Sequence, residues 1–138
     1  MGDLEGEDGF CRLVSKASGI VVVSVDYRLA PEHPYPAPLD DCVSAYEWTL
    51  KNSEELGAKA REVVTLGTSA GANLALAVAL KMIDAGRGET VKGVVALAPV
   101  TVAVDAVPEG LRGKYTSYDE HDLNTINTKT AMKMFFGR

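Results

Sequence analysis

The pentapeptide Gly67-Thr68-Ser69-Ala70-Gly71 restricts the fold of this chain more than any other feature. The apolar, β-branched run 63–66 precedes it and favours a strand, and the run 72–80 that follows is rich in strong helix formers. The pentapeptide therefore lies where a strand turns sharply into a helix. We expect Gly67 and Gly71 to remove side chains that would collide with neighbouring backbone, and Ser69 to expose its hydroxyl above the positive end of the helix dipole.

The same residues also fit a plainer interpretation. Serine is a favoured helix N-cap and glycine is common in turns, so the pentapeptide by itself is compatible with an ordinary helix start. A G-x-S-x-G sequence between a strand and a helix is, however, also the arrangement that presents a nucleophilic serine in α/β-hydrolases. The upstream sequence decides between the two.

A second motif, DYRLAPEHPYPAP, occupies residues 26–38. The apolar run before it predicts a buried parallel strand over 20–26. Four prolines between residues 31 and 38 then hold the backbone extended until a helix begins near Pro38.

With these two motifs the chain resembles the hormone-sensitive-lipase-like branch of the α/β-hydrolases, from about Phe10 to about Phe136. That branch carries D-Y-R-L-A-P-E-x-P-x-P-A followed by G-x-S-A-G-x-N-L-A. Two positions depart from its usual pattern: Thr68 replaces a common aspartate, and Ala72 replaces a frequent glycine. Position 68 does not carry the chemistry in that branch, and alanine at position 72 is a better helix former than glycine.

Helical and strand-like segments alternate through the first two thirds of the chain. The predicted helices are 8–18, 38–55 and 70–85, and the predicted strands are 20–26, 62–67 and 91–98. This order predicts an α/β fold in which crossover helices join the strands of a parallel sheet. The resemblance implies part of the three-layer sandwich of the α/β-hydrolases.

The last 39 residues differ in character. No clean period runs through 101–113, so we expect a loop there, and Asn127-Thr128 could cap a short helix. That helix would carry Met132, Phe135 and Phe136 at i, i+3, i+4 spacing, which is usual for core packing and also suits a pocket lining. We expect one partial domain over 1–138, with a βα core over 8–99 and, by the resemblance, a loop and the start of a cap over 100–138.

The resemblance implies a catalytic role for the pentapeptide. Ser69 would be the nucleophile that forms an acyl-enzyme with a small-molecule ester, and the backbone N–H of Ala70 would donate to the oxyanion. Gly67, Thr68 and Gly71 would complete the nucleophile elbow. This chemistry calls for no cofactor and no metal ion.

A serine hydroxyl needs a histidine base and an acid that orients it, and the chain offers weak candidates for both. His33 precedes Ser69, the wrong side in the order Ser, acid, His. His121 follows it, with Asp105 or Asp119 between, but 119–122 are consecutive residues whose side chains diverge, as in a solvated turn. The same divergence argues against a metal site.

The chain also contains no His-Gly-Gly sequence, which forms the oxyanion loop of the family. Its first helix is predicted to begin near Asp8, so we expect the chain to start just after the position of that loop. We therefore expect a hydrolase truncated at both ends, with its acid and base outside this sequence and at best weak esterase activity. The alternatives are a non-catalytic module that binds small molecules, or a remnant hydrolase fragment.

Composition narrows the setting of the protein. The 138 residues, 46% of them hydrophobic, suit one globular domain, and a net charge of −5 argues against nucleic acid or an anionic membrane as partner. No apolar run approaches the roughly 18 residues that span a bilayer. Cys11 and Cys42 lack the spacing of a metal or redox site, so we expect both side chains to be buried as small apolar groups. Unpaired cysteines of this kind also favour a cytoplasmic protein.

Overall fold

The computed structural model describes residues 3–59, 62–122 and 128–136. The chain divides into two compact units, Met1–Pro99 and Val100–Arg138. The first unit carries the pentapeptide and the described sheet.

The sheet of the first unit consists of two parallel strands, β1 (Val63–Thr68) and β2 (Val91–Leu97). The register runs from Val64 opposite Gly93 to Thr68 opposite Leu97, after an irregularity at the start of β1. Both strands lie within about one residue of the predicted bounds. The predicted parallel pairing is confirmed, and the connection between the strands is helical.

The strand predicted over 20–26 is wrong, since the described sheet contains only β1 and β2. Ile20 and Val21 are close to half exposed, at 49% and 45%. Apolar, β-branched residues favour a strand, but a strand persists only when a neighbour completes its hydrogen-bond ladder. Among the described residues, no strand pairs with 20–26.

Three longer helices accompany the strands. Helix α1 spans Leu4–Ser18 and begins earlier than predicted, because the Asp3 side chain caps it by accepting the N–H of Gly6 at 2.9 Å. Helix α2 spans Ala37–Lys51 and ends before the predicted residue 55, where a turn follows. Helix α3 spans Ala70–Asp84, as predicted to within one residue.

The core of the first unit lies between α2 and α3. Its buried members are Leu39, Tyr46, Val78 and Met82. Cys42 packs against them but stays half-buried, as does Cys11 in α1, so the expectation of buried cysteines is wrong in degree. Partial burial raises the pKa of the Cys42 thiol to about 11, which leaves it protonated and unreactive at neutral pH.

A buried hydrogen bond joins α2 to the start of β2. The Tyr46 hydroxyl donates to Oγ1 of Thr90 at 3.0 Å, and the Thr90 hydroxyl donates to the carbonyl of Arg87 at 2.8 Å. Replacing Tyr46 by phenylalanine should lower the free energy of unfolding by about 1 kcal/mol, the usual net worth of such a bond. Urea denaturation measures this, and Tyr35→Phe is the control because Tyr35 is 78% exposed. Equal stability of the two variants would contradict the expectation.

The second unit is more helical than predicted. It contains a 3-10 turn, Val104–Ala106, and three short helices: α4 (Glu109–Arg112), α5 (Ser117–His121) and α6 (Lys129–Phe135). The loop predicted over 101–113 is therefore wrong in part, and 119–121 belong to a helix instead of a solvated turn. Helices of four or five residues are too short to show a 3.6-residue period in sequence.

The predicted C-terminal helix is confirmed as α6. Thr128 caps it by accepting the N–H of Ala131 at 3.1 Å, and Met132 is buried. Phe136 is 36% exposed, while Asn127 and the side chain of Phe135 lie outside the described residues. Across the described part of the chain, no helix has the length and apolar character that crossing a bilayer requires.

Candidate active site

Ser69 occupies a sharp, strained turn between β1 and α3. Its backbone angles are φ 54° and ψ −114°, although it is not glycine. Such angles cost on the order of 1–3 kcal/mol and persist only when the surrounding structure imposes them. The predicted sharp junction of strand and helix is confirmed.

Gly67 makes this turn possible. A Cβ atom at position 67 would lie 2.2 Å from both the carbonyl carbon and oxygen of Gly71, and 2.7 Å from the nitrogen of Ala72. The end of β1 therefore approaches the first turn of α3 more closely than any side chain permits. A Cβ at Gly71 would meet nothing within 4 Å, so the collision expected at that second glycine is wrong. The close approach involves the backbone of Gly71 and not the space where its side chain would lie.

The backbone of Ser69 is bound on both sides. Its N–H donates to the carbonyl of Leu97 at 2.9 Å, and its carbonyl accepts the N–H of Asn73 at 3.2 Å. Its side chain makes no capping hydrogen bond to α3, and the residue is exposed. The plainer interpretation of Ser69 as a side-chain N-cap is therefore wrong.

Ala70 is the first residue of α3 and is exposed. The N–H groups of a helix's first turn have no acceptor within the helix, and they form its positive end. The carbonyl of Leu97 accepts the N–H of Ser69. The next N–H along the chain is that of Ala70. Thr68 ends β1 opposite Leu97 and is exposed.

Thr65 contributes a contact that the sequence analysis missed. Its hydroxyl donates to the carbonyl of Ala75 at 3.0 Å and so joins the middle of β1 to α3. Side chains alternate between the two faces of a strand, so the sequence alone places Thr65 on the same face as Gly67.

Among the described residues, no hydrogen bond joins the Ser69 hydroxyl to another side chain. His33 lies in an exposed turn, where its backbone N–H donates to the carbonyl of Leu29. The side chain of His121 lies outside the described residues. Asp105 and Asp119 instead form ion pairs within the second unit, with Lys133 and Lys129 respectively.

Metal ligands are likewise not assembled in the part of the chain that the structure describes. No group of three His, Cys, Asp or Glu side chains there could hold an ion.

Arg28, from the second motif, binds Asp41 in α2. This clamp fixes the start of the proline-rich segment to the helix that follows it. The Nε of Arg28 donates to both carboxylate oxygens of Asp41, at 3.1 and 2.9 Å, and a second guanidinium nitrogen donates at 2.8 Å. The backbone N–H of Arg28 also donates to this carboxylate, at 2.9 Å. These bonds raise the pKa of Arg28 and lower that of Asp41 to about 2.

This clamp predicts a pH dependence of stability. The ordinary pKa of Asp41 is 3.8, so its contribution is fully present above that value and is lost as the pH falls through about 2. Asp41→Asn should therefore flatten the fall in melting temperature between about pH 4 and pH 2. The exposed neighbour Asp40 provides the control, as Asp40→Asn should leave the slope unchanged. Identical slopes for the two variants would contradict the assignment.

A strained serine between a parallel strand and a helix, with its hydroxyl uncapped and a glycine two residues earlier at backbone contact, has the geometry of the nucleophile elbow of an α/β-hydrolase. The chain belongs to the alpha/beta hydrolase fold family, whose sequence profile matches residues 1–137. The resemblance that the two motifs indicate is confirmed.

Several similar proteins carry esterase names. The chain is 48% identical over 136 residues to versiconal hemiacetal acetate esterase of Aspergillus parasiticus, covering 99% of this chain and 42% of that protein. An esterase structure from the archaeon Pyrobaculum calidifontis aligns with a TM-score of 0.81 and 38% identity, over 98% of this chain and 42% of that one. A similar protein with a different kind of name is the FAD-linked oxidoreductase pytB of Aspergillus terreus, 50% identical over 135 residues, 98% of this chain and 16% of that protein.

The chain thus spans about two fifths of the length of the two esterases. The pytB match places a closely similar stretch inside a much longer protein that is named as an oxidoreductase. Family membership is therefore established for nearly the whole chain, while reaction and substrate call for an argument from the site.

Proposed function

We propose that this chain supplies the nucleophile of a serine carboxylic ester hydrolase, a carboxylesterase or acetylesterase. The observation that carries the proposal is Ser69, exposed and uncapped at φ 54° at the end of β1. A capping serine has no need of this conformation, since N-caps ordinarily have extended backbone angles. The strain is understandable if the hydroxyl must stand clear of the turn to reach a carbonyl carbon.

The proposed reaction uses the backbone as well as the hydroxyl. The Oγ of Ser69 attacks the ester carbonyl carbon, its proton passes to a base, and the carbonyl oxygen becomes an oxyanion that accepts from the N–H of Ala70. Collapse expels the alcohol and leaves the acyl group on Ser69, and water then releases the acid. Gly67, Thr68 and Gly71 form the rest of the elbow.

The base and its acid remain unassigned. Asp105 and Asp119 have lysine partners, and His33 precedes the serine in the chain. His121 follows the serine, but it directly adjoins Asp119, Glu120 and Asp122, and the side chains of consecutive residues diverge. We therefore propose that both groups belong to sequence beyond these 138 residues, as does the His-Gly-Gly loop, and that residues 100–138 begin a cap.

The substrate we propose is a small-molecule ester with a short acyl group, in secondary metabolism. The support is the name of the Aspergillus parasiticus relative, an acetate esterase, and a second relative of the same name in Emericella nidulans, 44% identical over 138 residues. An acidic chain of net charge −5 also suits a neutral small molecule better than nucleic acid. A cytoplasmic location stays a prediction, and the two free cysteines support it.

A fluorophosphonate probe tests the proposal, because it captures nucleophilic serines covalently. Mass spectrometry of the digested protein should find the adduct on Ser69. An unmodified Ser69 in a longer protein that also contains the base and acid, under conditions that label a full-length esterase, would reject the catalytic proposal. Reversible binding of an ester without any adduct would favour the non-catalytic binding module.

A further inference from the structure

Ala98, immediately after β2, has a conformation that its sequence does not predict. Its φ is 47°, and Ser69 is the only other non-glycine residue with positive φ among the described residues. Ala98 precedes Pro99, and a residue before proline favours φ near −120°. Its side chain is exposed, so side-chain packing does not hold it there.

The two strained residues lie at neighbouring places in the sheet. Ser69 directly follows β1 and Ala98 directly follows β2, and the last register pair of these strands is Thr68 with Leu97. One further hydrogen bond continues the ladder past that pair, from the N–H of Ser69 to the carbonyl of Leu97. The peptide that links Leu97 to Ala98 therefore holds the backbone of the serine.

The ending of β2 also affects access to the serine. In parallel sheets, ligands bind beyond the carboxyl ends of the strands. If β2 continued in extended conformation, its next residues would run on beside Ser69 at that end. The left-handed turn at Ala98 ends the strand one residue after the carbonyl that Ser69 needs, and Pro99 has no N–H with which to continue the ladder.

We propose that Ala98 is a positioning residue for Ser69. Its left-handed conformation orients the Leu97 carbonyl toward the N–H of Ser69 and ends β2 one residue after that carbonyl. In its effect on reactivity this inference rests on the proposed function; in its effect on the Ser69 backbone it does not.

The test compares substitutions that tolerate positive φ with ones that resist it. Ala98→Val should resist the positive φ, because β-branched residues strongly disfavour it. Ala98→Gly should keep the positive φ, because glycine adopts it without steric cost. Ala85→Val is the matched control, since Ala85 is also exposed but has φ −78°. In each variant, amide hydrogen exchange at Ser69 reports the bond to Leu97, and the fluorophosphonate rate reports reactivity.

We expect Ala98→Val to speed exchange of the Ser69 amide by about tenfold and to slow labelling by about tenfold, with Ala98→Gly and Ala85→Val close to wild type. Unchanged exchange at Ser69 in Ala98→Val would overturn the inference. If exchange changes as expected while the wild-type serine takes no label, the proposed function fails and the positioning role stands.

A second pair of variants covers the case in which Ala98→Val does not fold. Asparagine tolerates left-handed angles several-fold better than most residues, and serine lacks that preference. Ala98→Asn should keep the Ser69 amide protected and Ala98→Ser should protect it less. Equal protection in the two would reject the role of the left-handed turn.

Discussion

Replacing Ser69 by alanine should abolish fluorophosphonate labelling and reduce ester turnover by as much as about 10⁶-fold wherever the complete catalytic machinery is present. The loss is so large because the proposed mechanism forms the acyl-enzyme on the Ser69 hydroxyl. In this chain without a described base, the wild-type rate starts low, so loss of the covalent adduct is the sharper readout. Intact-protein mass spectrometry measures it directly.

Ser18→Ala is the matched control for that experiment. Ser18 is exposed at the end of α1, where its hydroxyl donates to the carbonyl of Val14. This variant should label as the wild type does. Persistent labelling of Ser69→Ala would place the reactive group elsewhere and reject the elbow as the nucleophile.

The strain at Ser69 adds a stability arm to the same experiment. Alanine at position 69 suffers the same left-handed φ as serine, so Ser69→Ala should unfold at nearly the wild-type urea concentration. Ser69→Gly should be more stable by up to about 1 kcal/mol, because glycine adopts positive φ without steric cost. A gain in stability in Ser69→Gly would show that the backbone angles of Ser69 cost the fold free energy, and no gain would contradict the assignment of strain.

Local sequence predicted the elbow because every determinant lies within about 20 residues. The strand, the glycine at the close approach, the serine and the helix formers are contiguous, and α3 connects β1 to a parallel neighbour by a crossover. The same reasoning failed over 20–26, where composition favours a strand but the outcome depends on a hydrogen-bonding neighbour far away in sequence.

Ala98 illustrates a different limit of sequence reasoning. An alanine before a proline is expected to be extended, and nothing local distinguishes Ala98 from other such residues. Its φ of 47° stands directly after the last pair of β1 and β2, Thr68 with Leu97, so only the structure reveals it. The carboxylates Asp105 and Asp119 are a similar case, because only the structure shows that lysines are their partners.

Gly67→Ala should lower the stability of the first unit more than any other single added methyl group would. Its Cβ would lie 2.2 Å from the backbone of Gly71, and neither partner in that clash can change rotamer to relieve it. Either β1 shifts or the first turn of α3 unwinds, and we expect the free energy of unfolding to fall by about 3 kcal/mol or more. Urea denaturation with the linear extrapolation gives the value.

Two other glycines in the same elements calibrate this result. Cβ atoms at Gly93, in β2, and at Gly71, in the first turn of α3, would meet nothing within 4 Å, and neither glycine has a left-handed φ. Gly93→Ala and Gly71→Ala should therefore be neutral or stabilising by up to about 1 kcal/mol. Comparable losses at all three positions would mean that the elements tolerate no added bulk anywhere, and the specific approach at Gly67 would lose its significance.

The elbow and the fold are coupled at Gly67. A Gly67→Ala protein that still folds must separate the end of β1 from the start of α3, and that separation moves Ser69 relative to the N–H of Ala70. Fluorophosphonate labelling of the folded fraction should therefore slow, whereas Gly93→Ala, which leaves the junction intact, should label at the wild-type rate. Full reactivity in a folded Gly67→Ala variant would show that the serine does not depend on the close approach of strand and helix.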